Sequence, residues 1–362
     1  ESKGRQFPRF DMIVMDECTK FKNKSTKQTK SCIEIGVDVP FKHIMSGTPI
    51  DQSPLDIWAP CAFLDPYILG YTNFYEFQNK YSIVTRTKVV GNMKIPIRRD
   101  WTNLEDLEWR LSKFSVRHLK VHCMSLPDKI YTRREDNMEG DQLEAYEKIK
   151  EEMRLMLESG EEVTVPNLLA QLTRLRQVCA GFVGTDGGDI HYFKNNIKLS
   201  MLNDAIDEGL GPNTKVVIWC QFIPSIKTIT RMLGEKGIRS VEFYGDTKNR
   251  DAVIKEFQIG KTQVFIGQIE TGGLGLQLQA ASLCIYYDQT FRWSTRRQSE
   301  DRLHRQGQVN KVTYIDLITN LGEGPRGGLR KSIDYRILDV LNQKKDVADI
   351  VTGDNIKLWI SE

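Results

Sequence analysis

Two adjacent carboxylates close an apolar run in FDMIVMDECTKFKN, residues 10–23. Asp16 and Glu17 suit nucleotide hydrolysis. One carboxylate at the end of a buried strand can hold Mg²⁺, and its neighbour can polarise the attacking water. Taken alone, the pair is equally what a solvated strand end looks like. SGTP, residues 46–49, follows the next apolar run. Its small residues let backbone approach a ligand, and Thr48 adds a hydroxyl; otherwise it is a turn. In QSEDRLHRQGQ, Gln298, Arg302 and Arg305 stand four and three residues apart, which predicts one side of one helix. A guanidinium stays charged and offers phosphate oxygens a planar fork. Arginines presented to a γ-phosphate can contribute about 10³–10⁵ in rate. TGGLGLQLQAA places Thr271, Gly272 and further glycines after a predicted strand. Bare N–H groups there can grip a phosphate, and without an accompanying Lys-Ser/Thr a nucleic-acid phosphate fits better than a nucleotide's. Arg250 in GDTKNR, ahead of a predicted helix, offers the same chemistry.

A loop to hold the triphosphate is missing. G-x-x-x-x-G-K-[ST] has no match in the 362 residues. The nearest decoy, residues 260–262, follows a helix and precedes a strand, the reverse of the required order, and position 255 is Lys. GEGPRG lacks the following Lys-Ser.

These residues must be carried by elements. FDMIVMDE and FKHIMSGTP read as buried parallel strands. From Leu55 to about Gly181 the pattern turns helical, with Leu104, Leu107, Leu111 and Phe114 on one face and Leu143, Tyr146, Ile149 and Met153 on another. A third helix starts near Pro166 and stops at Gly181. GTDGGDIHYFKNN reads as a surface hairpin or loop. From Thr214 strands and helices alternate to the end, which predicts a parallel sheet covered on both faces. The length suits two or three domains, and the 40% apolar and 27% charged composition is that of a globular protein. No apolar run reaches the roughly 20 residues that span a bilayer, so no membrane partner is expected. Net charge is only +3, against a uniformly basic nucleic-acid binder, but five lysines without an acid fall in residues 20–30. Seven scattered cysteines with no C-x-x-C pair suit reduced thiols in a cytosol or nucleus. His118, His122 and Cys123 have zinc-like spacing but no partner pair follows.

In this order the motifs resemble the Swi/Snf-type family of DNA-translocating ATPases in helicase superfamily two. DECTKFKN resembles its Walker B segment. HIMSGTPIDQSPLDIWAPCAFLDP is the most specific stretch, because Thr-Pro, Trp and Leu-Asp-Pro all fall in step. FSVRHLKVHCMSLPDKIY, VVIWCQFIPSI, FYGDTKNRDAVIKEF, ETGGLGLQLQAA, YYDQTFRW and QSEDRLHRQGQ resemble the segments that follow. The resemblance implies an α/β fold with tandem RecA-like lobes of P-loop NTPase type, ATP and Mg²⁺ as cofactors, and double-stranded DNA as partner. It divides the chain into residues 1–65, the later part of the first lobe; 66–190, a mainly helical protrusion and connector; and 191–362, the second lobe with a C-terminal helix. It assigns Asp16 and Glu17 to Mg²⁺ and water, and Gln298, Gly275, Arg302 and Arg305 to the nucleotide. Lys22, Thr48, Arg250, Thr271, Gly272 and Trp293 go to DNA.

The sequence departs from the family in two ways. Cys18-Thr19 replaces the usual His or Gly-His after Asp-Glu, so the link from ATP to DNA is expected to be weaker or differently built. The family's phosphate loop lies upstream of the Asp-Glu strand, so the first lobe is expected to be incomplete here. Its missing half would come from the same protein or a separate fragment. These residues alone are then expected to be inactive, within a parent that is a DNA-stimulated ATPase. A nucleic-acid-binding module without ATPase activity and a strand-separating helicase are the rival readings. An intracellular location is expected, bacterial or viral cytoplasm ahead of a nucleus.

Overall fold

A computed structural model describes residues 9–90, 93–118, 120–158, 165–185, 187–271, 275–324 and 327–352. The chain divides into two compact units. The first ends at His118 and also holds Arg292–Ser294 and the chain from Asn342; the second holds the rest.

In the first unit β1 (Met12–Met15) and β2 (Phe41–Ile44) pair in parallel, Met12 opposite Phe41, with helix α1 (Lys27–Ile35) between them in the chain. Thr26 caps α1, its hydroxyl accepting the Thr29 N–H at 3.2 Å. Ile13, Met15 and Ile44 pack on a small core of Cys18, Phe21 and Phe63. The alternate residues face the other way, and Met12, Val14 and Phe41 are 52%, 51% and 60% exposed. Helices α2 (Trp58–Leu64), α3 (Phe74–Tyr81) and α4 (Leu104–Ser112) follow. A second core of Ile50, Ile57, Cys61, Leu69, Phe77, Tyr81 and Leu107 takes in the predicted stripe Leu104, Leu107, Leu111 and Phe114.

One stretch expected to be helical is not. Between α3 and α4 the chain forms an antiparallel hairpin, β3 (Ser82–Val90) with β4 (Met93–Trp101). SIVTRTKVV is dominated by β-branched residues, which lose side-chain freedom in a helix and suit a pleated strand. Pro96 would interrupt a helix on the return.

The second unit opens with α5 (Lys120–Cys123), β5 (Lys129–Asn137), α6 (Gly140–Glu158) and α7 (Val165–Cys179). The predicted α6 stripe of Leu143, Tyr146, Ile149 and Met153 packs with Leu175 and Val178 of α7. The Gly181 stop has φ +94. Strands β6 (Phe182–Gly184) and β7 (Ile190–Tyr192) are the expected surface hairpin. The alternation then runs α8 (Ile197–Gly209), β8 (Val216–Cys220), α9 (Ile223–Glu235), β9 (Ser240–Phe243), α10 (Arg250–Ile259), β10 (Val264–Gln268), β11 (Leu283–Tyr286), α11 (Trp293–Asp301), β12 (Val312–Glu323), β13 (Leu329–Lys331) and α12 (Ile333–Thr352).

The sheet order is β5, β12, β11, β8, β10, β9, every neighbour parallel, with β13 antiparallel along the far end of β12. Sequence reading did not assign β5. Only its partner shows why KIYTRREDN is a strand: Lys129–Asn137 pairs residue for residue with Val312–Asn320. The two faces of β8 divide the core. Val216, Ile218 and Cys220 meet Leu202, Ile206, Ile226 and Ile229. Val217 and Trp219 meet Phe257, Leu276, Leu278 and Leu303. Each such buried side chain contributes about 1.5–3 kcal/mol. The expected α/β fold is therefore present, its parallel sheet covered on both faces as in a RecA-like lobe. No helix among the described residues is long and apolar enough to cross a membrane.

Candidate functional site

The acidic pair stands where β1 leaves its sheet. The ladder runs on past both strands, with Met45 N–H donating to Met15 O at 2.8 Å and Cys18 N–H to Met45 O at 3.1 Å. Between them the backbone kinks: Glu17 has φ 51 and ψ 51, left-handed for a residue with a β-carbon. Such a conformation costs about 1–3 kcal/mol and concentrates at functional positions. Asp16 Oδ1 accepts the Glu17 N–H at 2.8 Å, which holds the kink. Asp16 is exposed and Glu17 half-buried. No group of three or more metal-ligating side chains occurs among the described residues. Two adjacent carboxylates fit Mg²⁺, which is held by one or two carboxylates together with substrate phosphates. Behind them Cys18 is buried, and burial followed by the Glu17 charge pushes its thiol up to about 11.

Lys22 and Thr48, both assigned to DNA, face inward. The Lys22 ammonium lies 2.6 Å from Asp51 Oδ2 and 3.3 Å from Asp56 Oδ2. Asp56 also accepts the N–H groups of Asp51, Gln52 and Ser53 at 3.1, 2.6 and 3.2 Å. Asp51 Oδ1 accepts the Ser294 N–H at 3.0 Å. Burial pushes the Asp51 carboxyl up, but the bonds from Lys22 and Ser294 outweigh it and bring it down to about 2. Thr48 is buried, and its hydroxyl has no hydrogen-bond partner among the described residues. Trp293 packs against the second core of the first unit, its indole nitrogen buried there without a hydrogen-bond partner among the described residues.

In the second unit the glycine loop and the arginine turn come together. Leu278 N–H donates to Arg302 O at 3.0 Å, and Arg305 Nη1 to Leu276 O at 3.4 Å. Gln308 Nε2 reaches Gln279 O, Ala281 O and Leu303 O at 3.1, 2.9 and 3.3 Å. Gly275, at φ +59, has nothing within 4 Å of where a β-carbon would stand. Thr271 donates to Gln268 Oε1 at 3.1 Å; Gly272 lies outside the described residues. Arg250 opens α10, its Nη2 on Gly245 O at 3.0 Å.

One expectation is corrected. Gln298, Arg302 and Arg305 do not share a helix, because α11 stops at Asp301. Past Asp301 the chain tightens into three-residue turns, Arg302 N–H donating to Ser299 O at 3.3 Å and Leu303 N–H to Glu300 O at 3.1 Å, and Arg302 O accepts the Leu278 N–H at 3.0 Å. Only Gln298 is helical; both arginines sit on the following turn.

Sequence reading missed what anchors that helix. Arg296 is buried, 2.5 Å from Asp316 Oδ1 and 3.1 Å from Glu300 Oε1, with its guanidinium 3.3 Å over the Tyr286 ring. Glu300 also accepts from Lys129 at 3.0 Å and Tyr131 OH at 2.7 Å. A second buried pair, Lys198 with Asp334 at 2.6 Å, ties α8 to the start of α12. Gln308 lay inside a quoted motif, yet nothing in its type reveals three carbonyls.

Residues 2–181 match the SNF2-related domain and residues 197–307 the helicase conserved C-terminal domain. An "uncharacterized ATP-dependent helicase" of Mycoplasma genitalium is 26% identical over 357 residues, 98% of this chain and 32% of that protein. The "putative ATP-dependent helicase/translocase YwqA" of Bacillus subtilis is 24% identical over 367 residues, 98% of this chain and 36% of that protein. The chain thus spans about a third of the length of these curated relatives. Among solved structures, the Sulfolobus solfataricus SWI2/SNF2 ATPase core in complex with dsDNA matches at TM-score 0.45 and 24% identity, covering 95% of this chain and 69% of that one.

Proposed function

This chain belongs to the SNF2-related family, and from that premise we propose that it forms part of an ATP-dependent motor acting on double-stranded DNA. The observation that carries the reading is the joint between loop 275–281 and turn 302–308. Hydrogen bonds from Leu278, Arg305 and Gln308 fasten a glycine-bearing loop to the turn that presents two guanidiniums. An isolated basic surface would not need such bracing. A transition-state clamp would, because guanidiniums act on phosphate only when held in place.

In this reading Asp16 and Glu17 hold Mg²⁺ through the nucleotide, and the ion neutralises phosphate charge. Gln298, Gly275, Arg302 and Arg305 serve the nucleotide from the second lobe. Arg250, Thr271, Gly272 and Trp293 serve DNA. Lys22 and Thr48 serve DNA only indirectly, Lys22 by holding Asp51 and Asp56 of the segment after Thr48, since their own polar groups point inward. The 362 residues contain no phosphate loop, so turnover by these residues alone is expected to be negligible.

Titrating the chain with duplex DNA across a salt series tests the DNA part. Affinity that falls steeply with salt supports it, and affinity indifferent to salt overturns it. Mg-ATP turnover by the chain that disappears in Arg305→Ala would show the clamp to be complete here and refute the expected inactivity. Normal turnover in a loop-bearing relative after the matching arginine is removed would refute the clamp.

A further inference from the structure

Helices α8 and α9 each turn one face to the core of the second unit, Leu202 and Ile206 from the first, Ile226 and Ile229 from the second. Their flanks leave a groove. Leu199 and Ser200 line it from α8, Arg231 and Met232 from α9, and Phe193 and Lys194, just past β7, add a third wall. Its volume is about 410 Å³, within the roughly 300–1,000 Å³ of ligand sites. The groove lies wholly within the second unit, and none of these residues is assigned above to nucleotide or DNA.

The floor is apolar and its corner is fixed. Phe193 is buried, and Leu199 and Met232 pack on the core. Asn196 holds the corner. Its Oδ1 accepts the Leu199 N–H at 3.0 Å, and its Nδ2 donates to Ala180 O at 3.2 Å and to Tyr287 OH at 3.1 Å. A β-carbon on Gly181 would lie 1.9 Å from that Nδ2, so the close approach requires glycine. A wall braced in this way need not be ordered by its ligand.

The rim is positive. Lys194 and Arg231 are exposed and make no hydrogen bond or ion pair among the described residues. Neighbouring cations on α9 and beyond are neutralised, Lys227 by Glu242 and Lys236 by Asp207. No carboxylate is among the described residues that line the groove. A guanidinium offers a carboxylate a bidentate fork, and an ammonium adds a point charge. The occupant that matches both features carries carboxylates beside an apolar side chain. Because the rim is exposed, the groove would not enclose the 70–90% of surface that small-molecule sites typically bury, whereas a peptide can lie across it. A DNA backbone would meet the two cations and leave the apolar floor uncovered.

We propose that this groove docks an acidic peptide segment of a partner protein, with carboxylates on Lys194 and Arg231 and an apolar side chain on Phe193, Leu199 and Met232. The docking site is independent of the ATP and DNA reading.

A random-peptide display library selected on the chain supplies the probe. Enriched peptides should combine Asp or Glu with a large apolar residue. A synthetic copy of the most enriched one should bind the Lys194→Glu, Arg231→Glu variant at least about tenfold more weakly, because two charge-assisted contacts are lost. Lys255→Glu with Lys261→Glu makes the same charge change at other exposed positions of the second unit and should bind as wild type does. Ser200→Trp fills the groove without altering charge and should also abolish binding. Replacing the peptide's apolar residue by Ser should weaken it, as should added salt. All three variants should keep the wild-type melting temperature, since Lys194 and Arg231 have no partner to lose and Ser200 is exposed. Enriched peptides that lack acids or an apolar residue overturn the proposal, as does enrichment no greater than on the Ser200→Trp chain. Equal binding by groove and control variants overturns it too. Loss of duplex-DNA affinity in the groove variant, with peptide binding intact, would make the cations a phosphate contact and overturn it. A wild-type chain that ignores duplex DNA but binds the peptide would refute only the DNA reading.

Discussion

Lys22 sits in a motif that reads as a DNA contact, yet its ammonium closes an ion pair with Asp51, 2.6 Å away. The carboxyl of Asp51 is held near pH 2 in the fold, against about 3.9 for an ordinary aspartate. A depressed carboxyl stabilises the fold at pH values above its unfolded value, and that stability drains as pH falls through the folded value. Asp51→Asn should therefore cost about 2 kcal/mol at neutral pH. The gap in melting temperature from wild type should close between about pH 4 and pH 2. A gap that stays constant over that window would show the pair to be idle. Gln308 offers a second trial. Its amide serves three carbonyls, so Gln308→Leu should cost about 1–3 kcal/mol in urea unfolding. An unchanged midpoint would mean the loop and turn hold together without it.

Helix α11 is set by what lies under it more than by its own sequence. Arg296 is buried between Asp316, Glu300 and the Tyr286 ring. Removing one member of a buried charge group strands the others and costs about 3–5 kcal/mol. Arg296→Leu should be destabilising by that much, and adding Asp316→Leu should recover part of it. Equal unfolding midpoints for the single and double variants would show that the two side chains are not coupled. After Asp301 the helix gives way to tighter three-residue turns, Arg302 N–H to Ser299 O and Leu303 N–H to Glu300 O. A periodicity argument assumes the helix runs on through the residues it spaces. It placed Gln298, Arg302 and Arg305 on one side for that reason and was wrong about the element, although the arginines still meet the glycine loop. The hairpin of β3 and β4 was missed differently: amphipathic helices on both sides set the expectation for the residues between them.

Across the whole molecule, β1 and β2 turn Met12, Val14 and Phe41 outward, each at least half exposed. Parallel strands are usually covered on both faces. The chain should therefore bind a hydrophobic dye, and Met12→Thr with Val14→Thr and Phe41→Thr should remove most of that signal. Dye binding that survives the triple change would place the exposed apolar surface elsewhere. The sequence by itself determined the α/β class, the apolar stripes of α4 and α6, the strand–helix alternation after Thr214 and the family. All of these depend on residue types repeated at short range, where backbone geometry alone sets the period. The tertiary structure decided the inward turn of Lys22, the triple bond of Gln308, the anchorage of Arg296 and the pairing of β5 with β12. The Lys22 ion pair, the β5 pairing and the Gln308 bonds to Gln279 and Ala281 depend on partners at least 27 residues away in the chain, while Arg296 finds Glu300, Tyr286 and Asp316 nearer in sequence, at spacings that no single helix or strand period joins. A local pattern contains no record of which distant donor or acceptor folding will bring alongside.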